Sequence, residues 1–306
     1  MQENYDLPIS LEGTYLNHAF GPGADGVQLH YIRVGQGPSV VLLHGWPGFW
    51  YDWRRILPRL AQQADVIAPD FRGFGESEKP DLPPLEAYTP NVLALDILAL
   101  LDHLAVRNVV VVAHDLGATV AQVLARLAPE RIQALVLLNP PYSGVGMRRF
   151  EPSVQAELWY QYFHNLPWSD QLIGHDKETV RLYLHHFYTH WIGRQEALDA
   201  REFETIVEMY VRPGAMKASI LYYRARAATR LQEANVVPEP FQIPQPTTVL
   251  WGQADPVSRW EWADRLPEYF PQLSLSYLPG VGHFVPFEAP DEVLKAIQTS
   301  VTHHFT

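Results

Sequence analysis

The chain has 306 residues, of which 47% are hydrophobic and 19% charged, so it can bury a sizeable core and lacks the composition of a disordered protein. Its formal net charge of -11 argues against nucleic acid or anionic membranes as partners, because both attract basic surfaces. It contains no cysteine, which excludes disulfide bonds, a thiolate metal site and a cysteine nucleophile.

The sequence lacks the patterns of a secreted or membrane protein. The first sixteen residues carry three acidic side chains but no basic start or apolar block, unlike a secretory signal. The best candidate for a membrane span, residues 92–104, is shorter than the required ~18–20 residues, and two aspartates and a histidine interrupt it. A cytoplasmic protein is therefore expected.

Taken in chain order, the first half of the sequence alternates predicted strands and helices. Residues 15–20 and 27–34, separated by a glycine- and proline-rich turn, indicate an antiparallel hairpin at a sheet edge. Short β-branched apolar runs predict buried strands at residues 39–43, 65–68, 109–113 and 134–138. Apolar residues at three- and four-residue spacing predict helices at residues 92–104 and 118–128. This alternation predicts a parallel sheet with its binding sites at the carboxyl ends of the strands.

The pattern changes after residue 142. Residues 143–235 show no strand signal and contain aromatic-rich helical stretches, which predicts an inserted helical cap. The chain then returns to strand, helix, strand, helix at residues 247–251, 260–269, 273–278 and 291–303. The predicted fold class is therefore α/β, a mostly parallel eight-stranded sheet flanked by helices. Its core domain is formed by residues 1–142 and 236–306, and its cap domain by residues 143–235.

One strand-to-helix junction has the composition of a nucleophile elbow. The predicted strand at residues 109–113 leads to Asp115, and Gly117 follows where the next helix begins. In such an elbow a sharp turn presents one side chain above the sheet, and the residues two before and two after it must be small, as Ala113 and Gly117 are. An aspartate in this position predicts attack on a saturated carbon to give an alkyl ester. The motif alone leaves open that Asp115 merely caps the helix.

The His-Gly-Trp-Pro segment that ends at Pro47 follows the first buried strand. In sheets of this type such a loop supplies one backbone N–H of an oxyanion hole, here from Trp46, and the second comes from Leu116. A tight turn that needs Gly45 and Pro47 for its backbone alone is the alternative.

Two further residues stand near the ends of later predicted strands. Asp255 follows the strand at residues 247–251, and His283 lies in a glycine-rich loop after the last strand. Asp115, Asp255 and His283 therefore occur in the order nucleophile, acid, base. Several separate pieces in this order predict a catalytic triad.

The segment from Asp70 to Ser77 reads Asp-Phe-Arg-Gly-Phe-Gly-Glu-Ser. It is similar to the Asp-x-Arg-Gly-x-Gly-x-Ser loop of the α/β-hydrolase fold superfamily. With the elbow, the oxyanion loop and the triad order, the chain resembles this superfamily over nearly its whole length. It looks most like the branch with aspartate nucleophiles, which holds epoxide hydrolases and haloalkane and haloacetate dehalogenases. The resemblance implies the α/β-hydrolase fold, with Asp115 as nucleophile, His283 as general base and Asp255 as the residue that orients His283.

The resemblance also implies two cap tyrosines that donate to the epoxide oxygen. Tyr223 matches the family's cap Tyr-Arg dipeptide, and Tyr160 matches the segment of the other donor, with Tyr162 as second choice. For each tyrosine, packing is the alternative role. The expected substrate pocket includes Trp159, Tyr162 and Phe284.

Dehalogenases are the alternative within the same branch. Haloalkane dehalogenases commonly carry Trp directly after the nucleophile, where this chain has Leu116, and fluoroacetate-type enzymes carry Arg there and at the position of Thr119. Trp159 nevertheless lies close to the position of a halide-binding Trp in the second group. A non-catalytic receptor on the same fold is more remote, as is a serine esterase, which would need Ser in place of Asp115.

The resulting hypothesis is an epoxide hydrolase that converts an uncharged, lipophilic epoxide to a vicinal diol through an aspartyl ester. This chemistry requires no organic cofactor and no metal. His185, His186 and His190 are interpreted as one face of a cap helix rather than as a metal site. The expected partner is the small-molecule substrate, and the sequence leaves a monomer and a homodimer open.

Overall fold

The computed structural model describes Pro8, residues 10–232 and residues 241–305. Its strands are β1 Ser10–Leu11, β2 Thr14–Tyr15, β3 Asn17–Pro22, β4 Gln28–Val34, β5 Ser39–Leu43, β6 Asp65–Pro69, β7 Val109–His114, β8 Ile132–Leu138, β9 Thr247–Gly252 and β10 Leu273–Leu278. Strands β1 and β2 form a small hairpin, and the other eight form one sheet in the order β10-β9-β8-β7-β5-β6-β4-β3. The β3–β4 and β4–β6 pairs are antiparallel, and all other neighbours in this sheet are parallel.

The helices of the described residues flank the sheet or lie between β8 and β9. They are α1 Leu57–Leu60, α2 Pro84–Ala87, α3 Pro90–His103, α4 Leu116–Leu127, α5 Pro152–Gln155, α6 Trp159–Phe163, α7 Ser169–Ile173, α8 Lys177–His190, α9 Ala200–Tyr210, α10 Ala215–Gln232, α11 Leu266–Tyr269, α12 Val285–Glu288 and α13 Pro290–Phe305. Short 3₁₀ segments occur at Ala24–Gly26, Trp50–Trp53, Ser143–Phe150, Gln195–Ala197 and Trp260–Arg265.

The predicted fold class is confirmed, and each of the eight strands of the main sheet begins and ends within two residues of its predicted bounds. One helix prediction is wrong in detail. Residues 260–269 form a 3₁₀ segment followed by the separate short helix α11, because Pro267 lacks an N–H and starts a new helix more readily than it continues one. The β1–β2 hairpin was not predicted, since two-residue strands carry too little periodicity.

Strand β7 occupies the centre of the sheet, between β5 and β8. All six of its residues are buried, and α4 and α13 pack against it. A central parallel strand is covered on both faces, which is why it reads as a continuous run of valines rather than as an alternating pattern. The position immediately after β7 therefore lies at the end of a strand that is fully buried in the core.

Between β8 and β9, the described residues contain helices and turns but no strand. Helices α5–α10 and two 3₁₀ segments fill this stretch from Ser143 to Gln232. Helix α9 begins with a capping box, in which Asp199 and Glu202 each accept a backbone N–H of the other. The predicted boundary between residues 235 and 236 lies outside the described residues, so the division into core and cap domains stays a prediction.

Parallel strands bring their carboxyl ends to one side of the sheet, where the loops after β5, β7, β8, β9 and β10 meet. The predicted oxyanion loop, the elbow, Asp255 and His283 all lie in these loops. Within the described ranges, no helix combines the length and the apolar composition that crossing a bilayer requires.

Candidate active site

Asp115 alone makes the turn between β7, which ends at His114, and α4, which begins at Leu116. Its backbone has φ 47° and ψ -115°, a conformation that costs a non-glycine residue about 1–3 kcal/mol and persists where the surrounding structure enforces it. Helix α4 starts so close to β5 that a Cβ on Gly117 would lie 2.3 Å from the carbonyl oxygen of Leu43. Glycine is therefore required two positions after the elbow residue.

The carboxylate of Asp115 faces the loop after β5. Its Oδ2 accepts a hydrogen bond of 3.3 Å from the backbone N–H of Trp46. Within the described part of the chain, the side chain makes no capping bond to α4, so the interpretation of Asp115 as a simple helix cap is wrong. Leu116 is the first residue of α4, where backbone N–H groups have no partner inside the helix.

His283 and Asp255 form a buried hydrogen-bonded pair. Nδ1 of His283 donates to Oδ2 of Asp255 at 2.8 Å, and the side chains are 1% and 0% exposed. Oδ1 of Asp255 accepts the backbone N–H groups of Val257 and Ser258 at 2.8 and 2.9 Å. Since Nδ1 carries the hydrogen, Nε2 of His283 is the atom that can accept a proton. It is buried and has no hydrogen-bond partner among the described residues.

The surroundings make His283 a stronger base than free imidazole. Burial lowers its pKa, but the charge and hydrogen bond of Asp255 and the charges of Asp115 and Glu288 outweigh burial and raise the pKa to about 9. The elbow carboxylate therefore acts on His283 electrostatically, although the two residues are far apart in sequence.

A cavity between the sheet and the inserted helices contains Asp115 together with Tyr160 from α6 and Tyr223 from α10. The two tyrosine rings lie 5.5 Å apart at 85°, and the indole of Trp46 stacks on Tyr160 at 5.4 Å. Burial raises the pKa of both tyrosines, so both phenols stay protonated and can donate hydrogen bonds. Much of the remaining wall is apolar, with contributions from Pro141, Val145, Leu158, Val257 and Trp262.

Residues 38–290 match the family model described as alpha/beta hydrolase fold. The chain belongs to this family. It is 31% identical over 282 residues to the soluble epoxide hydrolase of Corynebacterium sp. (strain C12), with 88% of this chain and 92% of the relative covered. It is 29% identical over 282 residues to epoxide hydrolase 4 of Homo sapiens, with 90% and 75% covered. The solved structure of the epoxide hydrolase CorEH without ligand matches with a TM-score of 0.80 at 28% identity, covering 94% of this chain and 99% of that chain.

The resemblance to α/β hydrolases, and to epoxide hydrolases most of all, is thus confirmed. The structure of this α/β hydrolase brings together Asp115, Asp255 and His283 with Trp46, Tyr160 and Tyr223. The catalytic roles that the sequence assigns to these residues stay predictions.

Three residues expected in the substrate pocket of this α/β hydrolase lie elsewhere. The side chain of Tyr162 is 56% exposed, and its hydroxyl donates to Gln155 at 2.5 Å. Trp159 is 40% exposed and packs on Phe187, whereas Phe284 is buried in a ring stack with Tyr188 at 4.5 Å. Trp159, Tyr162 and Phe284 are not among the described residues that line this cavity, so their place in the substrate pocket stays a prediction that this cavity does not support. Of the two tyrosines considered as the first cap donor, only Tyr160 lines it.

Asn139, the residue that follows β8, contacts the Asp255–His283 pair and was not predicted from the sequence. Its Nδ2 donates to Oδ2 of Asp255 at 2.8 Å and to the carbonyl of Gly282 at 3.0 Å, and its Oδ1 accepts the N–H of Gly252 at 2.7 Å. Asn139 has φ 44°, a left-handed conformation that asparagine tolerates better than most residues. An asparagine directly after a buried strand was the signal available in the sequence, and no role was predicted for it.

Glu288 was also missed. This buried carboxylate accepts the backbone N–H groups of Gly282 and Phe284, which flank His283, at 2.9 and 3.0 Å. It also accepts those of Gly193 and Arg194, which follow α8, at 2.8 and 2.9 Å. Glu288 therefore ties the His283 loop to the inserted helical region. No spacing in the sequence indicates this role, because its partners are backbone groups.

The described residues contain no group of three or more His, Asp or Glu side chains placed to hold a metal ion. In the histidine-rich helix α8, His190 pairs with Glu157 at 2.7 Å, and its ring stacks on that of His186 at 5.4 Å. These histidines are occupied by each other and by one carboxylate on the surface of the inserted region.

Proposed function

We propose that this α/β hydrolase is an epoxide hydrolase that converts a lipophilic epoxide to a vicinal diol. The observation that carries the proposal is a single cavity that contains the elbow carboxylate of Asp115 and the protonated phenols of Tyr160 and Tyr223. A carboxylate can attack a saturated carbon, and an epoxide oxygen needs a proton donor as its ring opens. The relatives named as epoxide hydrolases support the same reaction.

In the first step, a carboxylate oxygen of Asp115 forms a bond to one epoxide carbon, and the bond from that carbon to the ring oxygen breaks. Tyr160 or Tyr223 transfers its phenolic proton to the departing oxygen. The products of this step are a hydroxyalkyl ester of Asp115 and a tyrosinate. General-acid assistance of this kind typically accelerates a reaction by ~10²- to 10⁴-fold.

In the second step, Nε2 of His283 removes a proton from a water molecule, whose oxygen attacks the ester carbonyl carbon of Asp115. The backbone N–H groups of Trp46 and Leu116 stabilise the resulting oxyanion, by roughly 3 kcal/mol per donor in comparable sites. His283 returns its proton to the leaving diol oxygen. The second proton of the water is left on the carboxyl group of Asp115. Its transfer to the tyrosinate regenerates both the Asp115 carboxylate and the tyrosine.

The placement of Trp159 supports an epoxide rather than a halide as substrate. A halide leaves as an anion and needs N–H donors near the nucleophile. Trp159 is half-exposed and outside the described lining of the cavity, and the aliphatic side chain of Leu116 has no N–H to offer. The tyrosine pair suits an alkoxide leaving group instead.

The test traps the covalent intermediate. In the His283→Gln variant the ester should form but not hydrolyse, so intact-protein mass should rise by the full mass of an added epoxide such as styrene oxide. The Asp115→Asn, His283→Gln double variant should show no increase. An alkyl halide that adds its mass minus the hydrogen halide, while epoxides add nothing, would instead indicate a dehalogenase. No increase with either class would indicate a binding protein.

A single turnover in H₂¹⁸O tests the ester route in the unaltered protein. The oxygen that reaches the substrate in the first cycle comes from the Asp115 carboxylate, so the first diol should be unlabelled and the label should stay in Asp115. Label in the first diol would mean that water attacks the epoxide directly, and the aspartyl ester would be excluded.

A further inference from the structure

The cavity that contains Asp115 carries an unusual charge balance for this protein. Acidic residues outnumber basic ones by 34 to 23 along the chain. Among the described residues that line the cavity, however, Asp115 is the single acid, and two arginines, Arg149 and Arg226, are present. Apart from Asp115, the proposed nucleophile, the charged residues of the described lining are Arg149 and Arg226, and the others are apolar or uncharged.

Arg226 lies on the same helix as the proposed proton donor Tyr223. It follows Tyr223 by three residues and Tyr222 by four, so all three side chains share one region of the surface of α10, about one helical turn long. Tyr222 and Tyr223 are buried, whereas Arg226 is half-buried. Of these three lining residues, Arg226 is therefore the one that solvent reaches most.

Arg226 differs from other arginines nearby in having no acidic partner. Arg224 pairs with Asp170 and Arg148 with Asp264, whereas Arg226 makes no ion pair within the described part of the chain. Arg149, on the 3₁₀ segment Ser143–Phe150, adds a second positive charge to the same wall. A guanidinium beside an apolar wall is partly desolvated, which strengthens its interaction with an anion.

We propose that this cavity selects epoxides that carry a carboxylate, which Arg226 binds at the mouth while the epoxide ring lies between Asp115 and Tyr160. This inference rests on the proposed epoxide hydrolase function and specifies its substrate as lipophilic in the middle and anionic at one end. Planar guanidinium groups match carboxylates in a two-bond geometry, and hydrogen bonds between charged groups are the stronger ones. The acidic net charge of the chain led to the expectation of an uncharged substrate. The proposal differs from it because a bound substrate interacts with the charges that line the cavity rather than with the net charge of the protein.

The experiment compares two probes with the same skeleton, 10,11-epoxyundecanoate and its methyl ester. The measured quantity is the ratio of their kcat/KM values, in the natural protein and in the Arg226→Gln variant. The natural protein should prefer the carboxylate by roughly 10- to 100-fold, mainly through a lower KM. Arg226→Gln should reduce this preference to within about threefold of unity, and Arg226→Glu should favour the ester, since a negative charge repels the carboxylate.

Arg148→Gln is the matched control, because it removes the same charge from a nearby arginine that is paired with Asp264 and is not among the described lining residues. It should keep the ratio of the natural protein. The proposal is overturned if the natural protein shows no preference, or if Arg226→Gln lowers kcat/KM for both probes equally. Should Arg226→Gln fail to fold by circular dichroism, Arg226→Met takes its place, because it keeps a long side chain without the charge. A folded Arg226→Met variant that keeps the preference for the carboxylate would contradict the proposal.

Trapping in the His283→Gln variant separates this failure from failure of the proposed function. If the methyl ester adds its mass to the protein but the carboxylate is not preferred, the epoxide hydrolase function stands and the anion selectivity is wrong. If neither epoxide adds mass, the proposed function fails and the inference falls with it.

Discussion

Tyr160 and Tyr162 lie two positions apart in α6, yet only Tyr160 lines the cavity. Residues two apart on a helix point in directions about 200° apart, so both cannot face the core. The ring of Tyr160 packs against those of Trp46 and Tyr223, and Gln161 donates to its hydroxyl oxygen at 3.2 Å. With that oxygen already accepting a hydrogen bond, the hydroxyl hydrogen of Tyr160 is the part left to donate.

The tyrosine pair yields the first prediction. Tyr160→Phe and Tyr223→Phe should each slow formation of the alkyl-enzyme from an epoxide by roughly 10²-fold, because one proton donor is lost. Rapid-quench measurement of ester formation in the His283→Gln background checks this. Tyr162→Phe is the matched control and should have no effect, since its hydroxyl contacts Gln155. Equal rates in all three variants would mean that the cavity tyrosines are packing residues.

The basicity of His283 depends on a charge that the proposed reaction removes. Burial lowers its pKa, and Asp255, Asp115 and Glu288 together raise it to about 9. When Asp115 becomes a neutral ester, its contribution disappears and the pKa of His283 falls. His283 then becomes neutral at lower pH, which favours its role as a base in the second step.

Asp115→Asn imitates this neutralisation. The pKa of His283 should be lower in the variant than in the natural protein, where it is about 9. Titration of the His283 ring signals by NMR, assigned with His283→Gln, measures the difference. Asp264→Asn removes a surface acid paired with Arg148 and should leave the pKa of His283 unaltered. An unchanged pKa in Asp115→Asn would mean that the two groups are not coupled.

At the scale of elements, the loop that follows β10 and the segment that follows α8 are in close contact. A Cβ on Gly282 would lie 2.2 Å from the carbonyl oxygen of Trp191, and the backbone N–H of His283 donates to that same oxygen at 2.8 Å. Glu288, at the end of α12, accepts four backbone hydrogen bonds. Two come from the segment after α8, and two come from the residues on either side of His283. The position of the base is therefore set jointly by the sheet and by the inserted helices.

Glu288 is thus a positioning residue, and Glu288→Gln should test it. One amide oxygen cannot replace both carboxylate oxygens, so at least one buried N–H loses its acceptor, at a cost of about 1–3 kcal/mol in stability. Loss of the negative charge should also lower the pKa of His283, which Glu288 helps to raise. Denaturant unfolding and the pH profile of ester hydrolysis measure the two effects.

Glu292→Gln serves as the control, because Glu292 is a partly exposed acid on α13 whose contact with Arg194 is long, at 3.8 Å. It should change neither measurement. A Glu288→Gln variant that loses stability but keeps the pH profile would mean that Glu288 is only structural.

At the scale of the whole molecule, one buried acid couples stability to pH. Asp52 lies in the 3₁₀ segment Trp50–Trp53, is 3% exposed, and its Oδ1 has no hydrogen-bond partner among the described residues. Burial raises its pKa to about 7, with the charge of Asp70 adding to the shift and those of Arg54 and His283 opposing it. The folded protein therefore binds this proton more tightly than the unfolded chain, whose aspartates titrate near 3.9.

The sign of the pH effect follows from this difference. The contribution of protonated Asp52 to stability is complete below about pH 4, is lost as the pH rises towards 7, and does not change further above that. Asp52→Asn removes this titration, so the stability of the variant relative to the natural protein should rise by a few kcal/mol between pH 4 and pH 8. Urea unfolding at several pH values measures it. A difference that is independent of pH would show that Asp52 does not titrate in this range.

The net charge of the molecule is a poor guide to the charge of its cavity. The value of -11 describes the whole chain, whereas a bound substrate responds to groups within a few ångströms in a medium of low polarity. Arg149 and Arg226 come from different elements and meet only in the folded protein. For this reason the composition of the chain gives no indication of the anion selectivity that we propose for the cavity.

Local patterns in the sequence were enough to predict most of the fold and part of the site. The buried valine run of β7, the apolar spacing of α3 and the small residues around Asp115 are each contained within a few consecutive positions. The loops that hold Trp46, Asp255 and His283 could be placed because parallel strands end on the same side of a sheet. These predictions depend on the chain's own periodicity and on one rule of topology.

The sequence alone determined the eight-stranded α/β fold and the residue types at the ends of β5, β7, β9 and β10. Only the tertiary structure decided that Tyr160 rather than Tyr162 lines the cavity, that Trp159 and Phe284 do not, and that Asn139 and Glu288 hold the Asp255–His283 pair in place. These outcomes depend on how the inserted helices pack on the sheet. That packing joins segments distant in the chain, and no local period of 2 or 3.6 residues encodes it.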